Sequence, residues 1–141
     1  MRGFVSDHDI EGHFLRLMEL AQRSQLSEIW ESLLLENYTF AELGWSIRST
    51  DRAVWLGCQE VGLILVTNNR NREDETSLQA TIGALADAES LPVITIGSVG
   101  RFENERGYAS LVADELIQLA FDVRHFGRWL GSGRVYLPHE S

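Results

Sequence analysis

The run Leu63-Ile64-Leu65-Val66-Thr67 constrains the fold more than any other stretch of the chain. A strand with one wet face would alternate apolar and polar side chains. This one is apolar at successive positions, which fits a central parallel strand covered on both faces. Leu91-Pro92-Val93-Ile94-Thr95-Ile96 is a second run of this type, with its proline near the start where a missing N–H is tolerated. Phe4-Val5-Ser6 is a short apolar start that reads as a third strand and runs into Asp7-His8-Asp9.

The segments between these runs have helical spacing. Phe14, Leu17, Met18 and Ala21 fall on one helix face, and Arg23-Ser24-Gln25 breaks it. Leu26, Ile29, Trp30, Leu33 and Leu34 predict a second helical stripe. Tyr38 to Leu43 is aromatic and β-branched at its start and reads as a short strand stopped by Gly44. Ser49-Thr50-Asp51 has a hydroxyl cap and an acid in the first turn, so it opens a helix carrying Val54, Cys58 and Val61 that stops at Gly62. The polar segment Asn68 to Glu75 reads as a loop, and Thr76-Ser77 as the cap of a helix with Leu78, Ile82 and Leu85 on one face. Gly97-Ser98-Val99-Gly100 reads as a turn. A long helix then carries Tyr108, Leu111, Val112, Leu116, Leu119, Ala120 and Val123. The tail, from about residue 124 to 141, is expected to pack on the domain, add an edge strand or serve a homodimer contact.

Alternating strands and helices predict one α/β domain over residues 1–141, with a mainly parallel sheet between two helical layers. The 141 residues suit one domain, and the 44% hydrophobic and 23% charged content is that of a globular chain. No apolar run approaches a bilayer's thickness, and Asp7 and Asp9 interrupt the start where a signal peptide would be apolar, so no membrane association and a cytoplasmic location are expected. Cys58 is the only cysteine, which excludes an internal disulfide and a cysteine-built zinc cage, and reads as a buried thiol. A net charge of −9 argues against long contacts with duplex DNA. It leaves metal-assisted phosphate chemistry open, because a bound cation resets the local field. All twelve basic residues are arginine, the better bidentate phosphate clamp.

Ligands of open α/β sheets bind at the carboxyl ends of the strands. This places Asp7-His8-Asp9, the loop Thr67-Asn68-Asn69-Arg70 and the Gly97-Ser98 turn on one edge. Asp7 and Asp9, one residue apart, suit a hard cation such as Mg²⁺. Asp51 is either part of a helix cap or a third acid, and Glu73 and Asp74 add negative charge to the crevice. A set of such acids can hold Mg²⁺ and activate water for phosphodiester hydrolysis. His8 and His13 read as hydrogen-bonded or solvated rather than as a metal pair. Arg70 and Arg72 either contact a phosphate or neutralise nearby acids. The segment 97–100 is no P-loop, and there is neither a Gly-x-Ser-x-Gly elbow nor a cysteine–histidine pairing at a helix start, so acyl transfer has no support. In the tail, Arg124, His125, Arg128 and Arg134 interleave with Phe126, Trp129 and Tyr136, a pattern that either holds single-stranded RNA or packs.

Over about residues 3 to 100 the chain resembles the PIN-like domains. Phe4-Val5-Ser6-Asp7-His8-Asp9, Phe40-Ala41-Glu42-Leu43-Gly44, Ser49-Thr50-Asp51 and Ile64-Leu65-Val66-Thr67-Asn68-Asn69-Arg70 follow that family's strands, acidic helix start and strand end. The resemblance implies a three-layer α/β/α sandwich with a Mg²⁺- or Mn²⁺-dependent ribonuclease centre, and a toxin-type protein partnered by an antitoxin. Position by position it implies catalytic roles for Asp7, Asp51 and Asn69. With the acid spacing and the strand-end rule, the expected metal ligands are Asp7, Asp9 and Asp51, and the expected substrate contacts are Thr67, Asn68 and Arg70. Asn69 departs from the family, which has an aspartate there, and an amide brings no charge to a cation. The alternatives are a non-catalytic PIN-like domain that binds a protein or RNA, and a phosphoesterase of the Asp/His-rich kind. The latter is similar at Asp7-His8-Asp9 and Glu11-Gly12-His13 but lacks its second histidine pair.

Overall fold

Five strands make one sheet in the order β2-β1-β3-β4-β5, and every neighbouring pair is parallel. They are β1 (Gly3–Ser6), β2 (Glu36–Tyr38), β3 (Leu63–Asn68), β4 (Val93–Ile96) and β5 (Arg134–Leu137). The connecting helices are α1 (Glu11–Arg23), α2 (Ser27–Ser32), α3 (Asp51–Val61), α4 (Arg72–Leu85), α5 (Val99–Asn104) and α6 (Arg106–Phe126). This is a computed structural model, and it describes residues 1–68, 72–127 and 133–139, with the side chains of 72–76 outside the description.

The sheet separates two cores. Phe4, Ile64, Val66, Ile94 and Ile96 face α1, α2, α5 and α6, where Phe14, Leu17, Trp30, Phe102 and Leu116 pack. Val5, Leu63, Leu65 and Val93 face the other way, against Val54, Trp55 and Cys58 of α3 and Leu78 and Ile82 of α4. Successive side chains of a strand point to opposite faces. Both faces are covered here, so Leu63 to Val66 are all buried and the unbroken apolar run follows. The fold is therefore the expected three-layer α/β sandwich. No helix among the described residues is long and apolar enough to cross a membrane.

Several ends form as the sequence predicts. The Thr50 hydroxyl accepts from Ala53 N at 3.1 Å and caps α3. Gly62 closes α3 at φ 77°, a left-handed conformation that costs glycine little. The tail supplies β5 as a parallel edge strand.

Other expectations need correction. The second strand lies at Glu36–Tyr38 rather than Tyr38–Leu43, because Thr39 and Glu42 turn the chain out of the sheet. Glu42 N donates to Thr39 Oγ1 at 3.2 Å, and Thr39 N donates to Glu42 Oε1 at 2.9 Å. That reciprocal pair is a capping box. α4 begins at Arg72, not at Thr76-Ser77. Ser98 is more than part of a turn: its hydroxyl accepts from Arg101 N and caps α5. Leu34 leaves its expected stripe, with φ 50° and 84% exposure, and Leu111 is also exposed. Of the two readings of the tail pattern, Arg134 takes the packed one: it is buried, and its Nε donates to Thr95 Oγ1 at 2.9 Å.

Candidate metal centre at the carboxyl edge of the sheet

The chain passes from β1 to β2 on one side and later to β3 on the other, so the topology reverses between β1 and β3. Crevices at such switch points are where doubly wound sheets bind ligands. Asp7 sits there. Its backbone N–H donates to Val66 O at 2.9 Å, which carries the β1–β3 ladder one residue past the strand. Ile10 N then donates to Asp7 O at 3.1 Å and closes a single 3₁₀ turn, His8–Ile10, before α1 begins. This tight turn brings three consecutive polar side chains together.

Asp7 is only 8% exposed, and Thr67 Oγ1 donates to its Oδ2 at 3.3 Å. His8 stands between the two acids, with Nδ1 3.2 Å from Asp7 Oδ1 and Nε2 2.9 Å from Asp9 Oδ1. One ligand atom from each of Asp7, His8 and Asp9 lies within 4.8 Å of the others. A divalent cation could draw an oxygen from each acid and, with the ring neutral, a ring nitrogen, keeping waters in its remaining positions.

The expected pair Asp7 and Asp9 is thus brought together, and His8, read from sequence as an ordinary hydrogen-bonded residue, joins it. Asp51 lies in the first turn of α3, part-exposed and outside this cluster. Thr67 is fully buried, with its hydroxyl turned to Asp7, so it positions the acid rather than meeting a substrate. Asn68 ends β3 at the same edge. Asn69 and Arg70 lie outside the described residues, as do the side chains of Arg72, Glu73 and Asp74.

Among the described residues, three buried polar side-chain atoms have no hydrogen-bond partner: Ser6 Oγ, Asn68 Oδ1 and Trp55 Nε1. The first two are at the carboxyl ends of β1 and β3. Buried polar atoms are nearly always satisfied by protein or water, so two orphans here mark a place where the chain has not saturated its own hydrogen bonds.

Around the cluster, the Phe40 ring lies 6.2 Å from His8 and 5.6 Å from Trp45. Phe40 enters the sequence reading only as part of a strand and Trp45 not at all, although the Thr39–Glu42 capping pattern locates the turn that carries Phe40. On the other flank, His13 pairs with Glu103 and ties α1 to α5. That contact accounts for His13 without a metal role. Cys58 is far from nucleophilic, because burial pushes its thiol up to about 12.

The chain matches no family profile, no curated protein and no solved structure.

Proposed function

We propose that this chain is a PIN-like phosphodiesterase of toxin type, acting on RNA with Mg²⁺ or Mn²⁺ at Asp7 and Asp9. One observation carries the reading: a half-hidden pair of carboxylates, with a histidine between them, at the switch point of an all-parallel sheet. The metal, when bound, supplies an activated water and a counter-charge for the phosphate. The chain's own groups hold that arrangement in place. Thr67 and the Val66 carbonyl fix Asp7, and the turn to Ile10 fixes Asp9 relative to it. Asp51 is the third acid in this reading, Asn69 orients water as an uncharged amide, and Asn68 and Arg70 meet the phosphate backbone. An antitoxin protein would cover the same edge.

The bridging ring of His8 favours a second reading, a non-catalytic PIN-like domain that binds a protein or RNA. The ring already stands between Asp7 and Asp9, in the space where a cation would go.

A titration with millimolar Mn²⁺ separates the two. The nuclease reading expects a higher melting temperature and cleavage of single-stranded RNA, with both effects lost in Asp7→Asn. If Mn²⁺ neither stabilises the protein nor supports cleavage, the second reading stands. Activity gained by Asn69→Asp would identify the amide as the weak point of the centre.

A further inference from the structure

The segment between β2 and α3 forms one wall of the crevice, and its chemistry differs from that of the acidic chain around it. β2 delivers the chain to the carboxyl edge at Tyr38, and α3 does not start back until Asp51. The Phe40 ring is tilted against that of His8, and Trp45 packs edge-on against Phe40. The indole is held from behind by α3, where a Cβ on Gly57 would come within 2.9 Å of Trp45 Cζ2. Trp45 N donates to Phe40 O at 2.8 Å, which fixes the backbone beneath the ring. Trp45 is part-exposed in this rigid seat, and Ile47 beyond it is 63% exposed.

The arginines of this wall also differ from most others. Arg2, Arg101 and Arg134 bond to side chains of the chain, and Arg16 and Arg124 to its backbone carbonyls. The guanidinium groups of Arg48 and Arg52 are exposed and have no partner among the described residues. Arg23 and Arg106 share that state on the last turn of α1 and the first turn of α6. Among the described arginines, Arg48 and Arg52 are the two that follow the seated Trp45 in the chain, at the turn into α3.

We propose that residues 39–52 are a single-strand guide: bases stack on Trp45 and Ile47, and Arg48 and Arg52 neutralise the phosphates on either side. The ligand class is a single-stranded polynucleotide, since stacking needs unpaired bases and the net charge of −9 disfavours a long duplex contact. The inference rests on the phosphodiesterase reading for what happens at the acids, but not for the binding itself.

The test measures fluorescence anisotropy of labelled oligouridine and oligothymidine, each about 12 nucleotides long, with the full chain in EDTA. Arg48→Ala/Arg52→Ala should weaken binding roughly tenfold and flatten the log-affinity against log-salt slope by about 1.4, the loss of two single-strand phosphate contacts. Trp45→Ala should weaken binding roughly tenfold, with Trp45→Phe restoring most of it. A paired duplex of equal length should compete poorly. Stronger binding of the uridine strand assigns the guide to RNA, and equal binding assigns it to either strand type. An unchanged slope in the double arginine variant overturns the guide, and so does a parent protein that fails to bind in EDTA yet cleaves RNA with Mn²⁺. Arginine-dependent binding without any Mn²⁺-supported cleavage keeps the guide and removes the nuclease.

Discussion

The two ends of the central strands contrast sharply. At the amino end, Arg2 N donates to Gly62 O at 2.6 Å and Glu36 N donates to Arg2 O at 3.0 Å. The Arg2 guanidinium reaches Glu36 at 3.2 Å and Val61 O at 3.4 Å, and the Tyr38 hydroxyl donates to Glu36 Oε1 at 2.5 Å. One cation, one anion and one hydroxyl close on each other. At the carboxyl end, two acids share one imidazole, and Ser6 Oγ and Asn68 Oδ1 have no partner among the described residues. Both ends use charge, but one is self-sufficient and the other is left with capacity for something else. Proteins tend to keep such unsaturated, like-charged groups where they act on a ligand.

Three substitutions test that contrast, starting with the largest effect. Gly3→Ala should cost about 3 kcal/mol or more in urea unfolding, because its Cβ would lie 1.8 Å from Glu36 O and push β2 off β1. An unfolding midpoint equal to the parent's would show that the amino end is not closely packed. Asp7→Asn, without metal, should stay within about 1 kcal/mol of the parent, because the amide oxygen still accepts from Thr67 and the negative surplus falls. A loss as large as that of Gly3→Ala would make Asp7 a structural acid. Glu36→Gln should give the smallest change, a slight fall in melting temperature. Hydrogen bonds from Tyr38 and Arg2 hold the Glu36 carboxyl below its usual range. Its contribution is therefore present above the unfolded value of about 4.3 and lost as pH falls through the lowered one. The difference between Gln variant and parent should vanish in acid and shrink in 1 M salt, where the Debye length is about 3 Å.

The fold was legible where local pattern and final environment agree. Leu63 to Val66 needed cover on both faces and has it, and Thr50 and Gly62 end α3 by local chemistry. β2 was misplaced because its pairing is decided by Arg2 and Gly3, more than thirty residues away, while Tyr38-Thr39-Phe40 has the composition of a strand. The first turn of α4 is all polar, so no apolar face announced it. The position of the acids could be read from the rule of strand ends. The bridging role of His8 could not, because it depends on a single 3₁₀ turn aiming one ring between its two neighbours. Arg134 takes the packed alternative of its tail pattern, but nothing in its own segment names its partner Thr95, which lies on another strand.

The place of β1 in the sheet has a consequence for assembly. Gly3 is in register with Glu36 on one side and with Leu63 on the other, so the strand ending at Asp7 is completed only by long-range pairings. Such contacts form slowly compared with helices. Asp7 takes its position from the Val66 carbonyl and the Thr67 hydroxyl, both on β3. A nascent or partly folded chain whose β1 has not met β3 therefore has the two acids but not their geometry. In a protein whose proposed activity would threaten the cell's own RNA, that order withholds the centre until the sheet is joined.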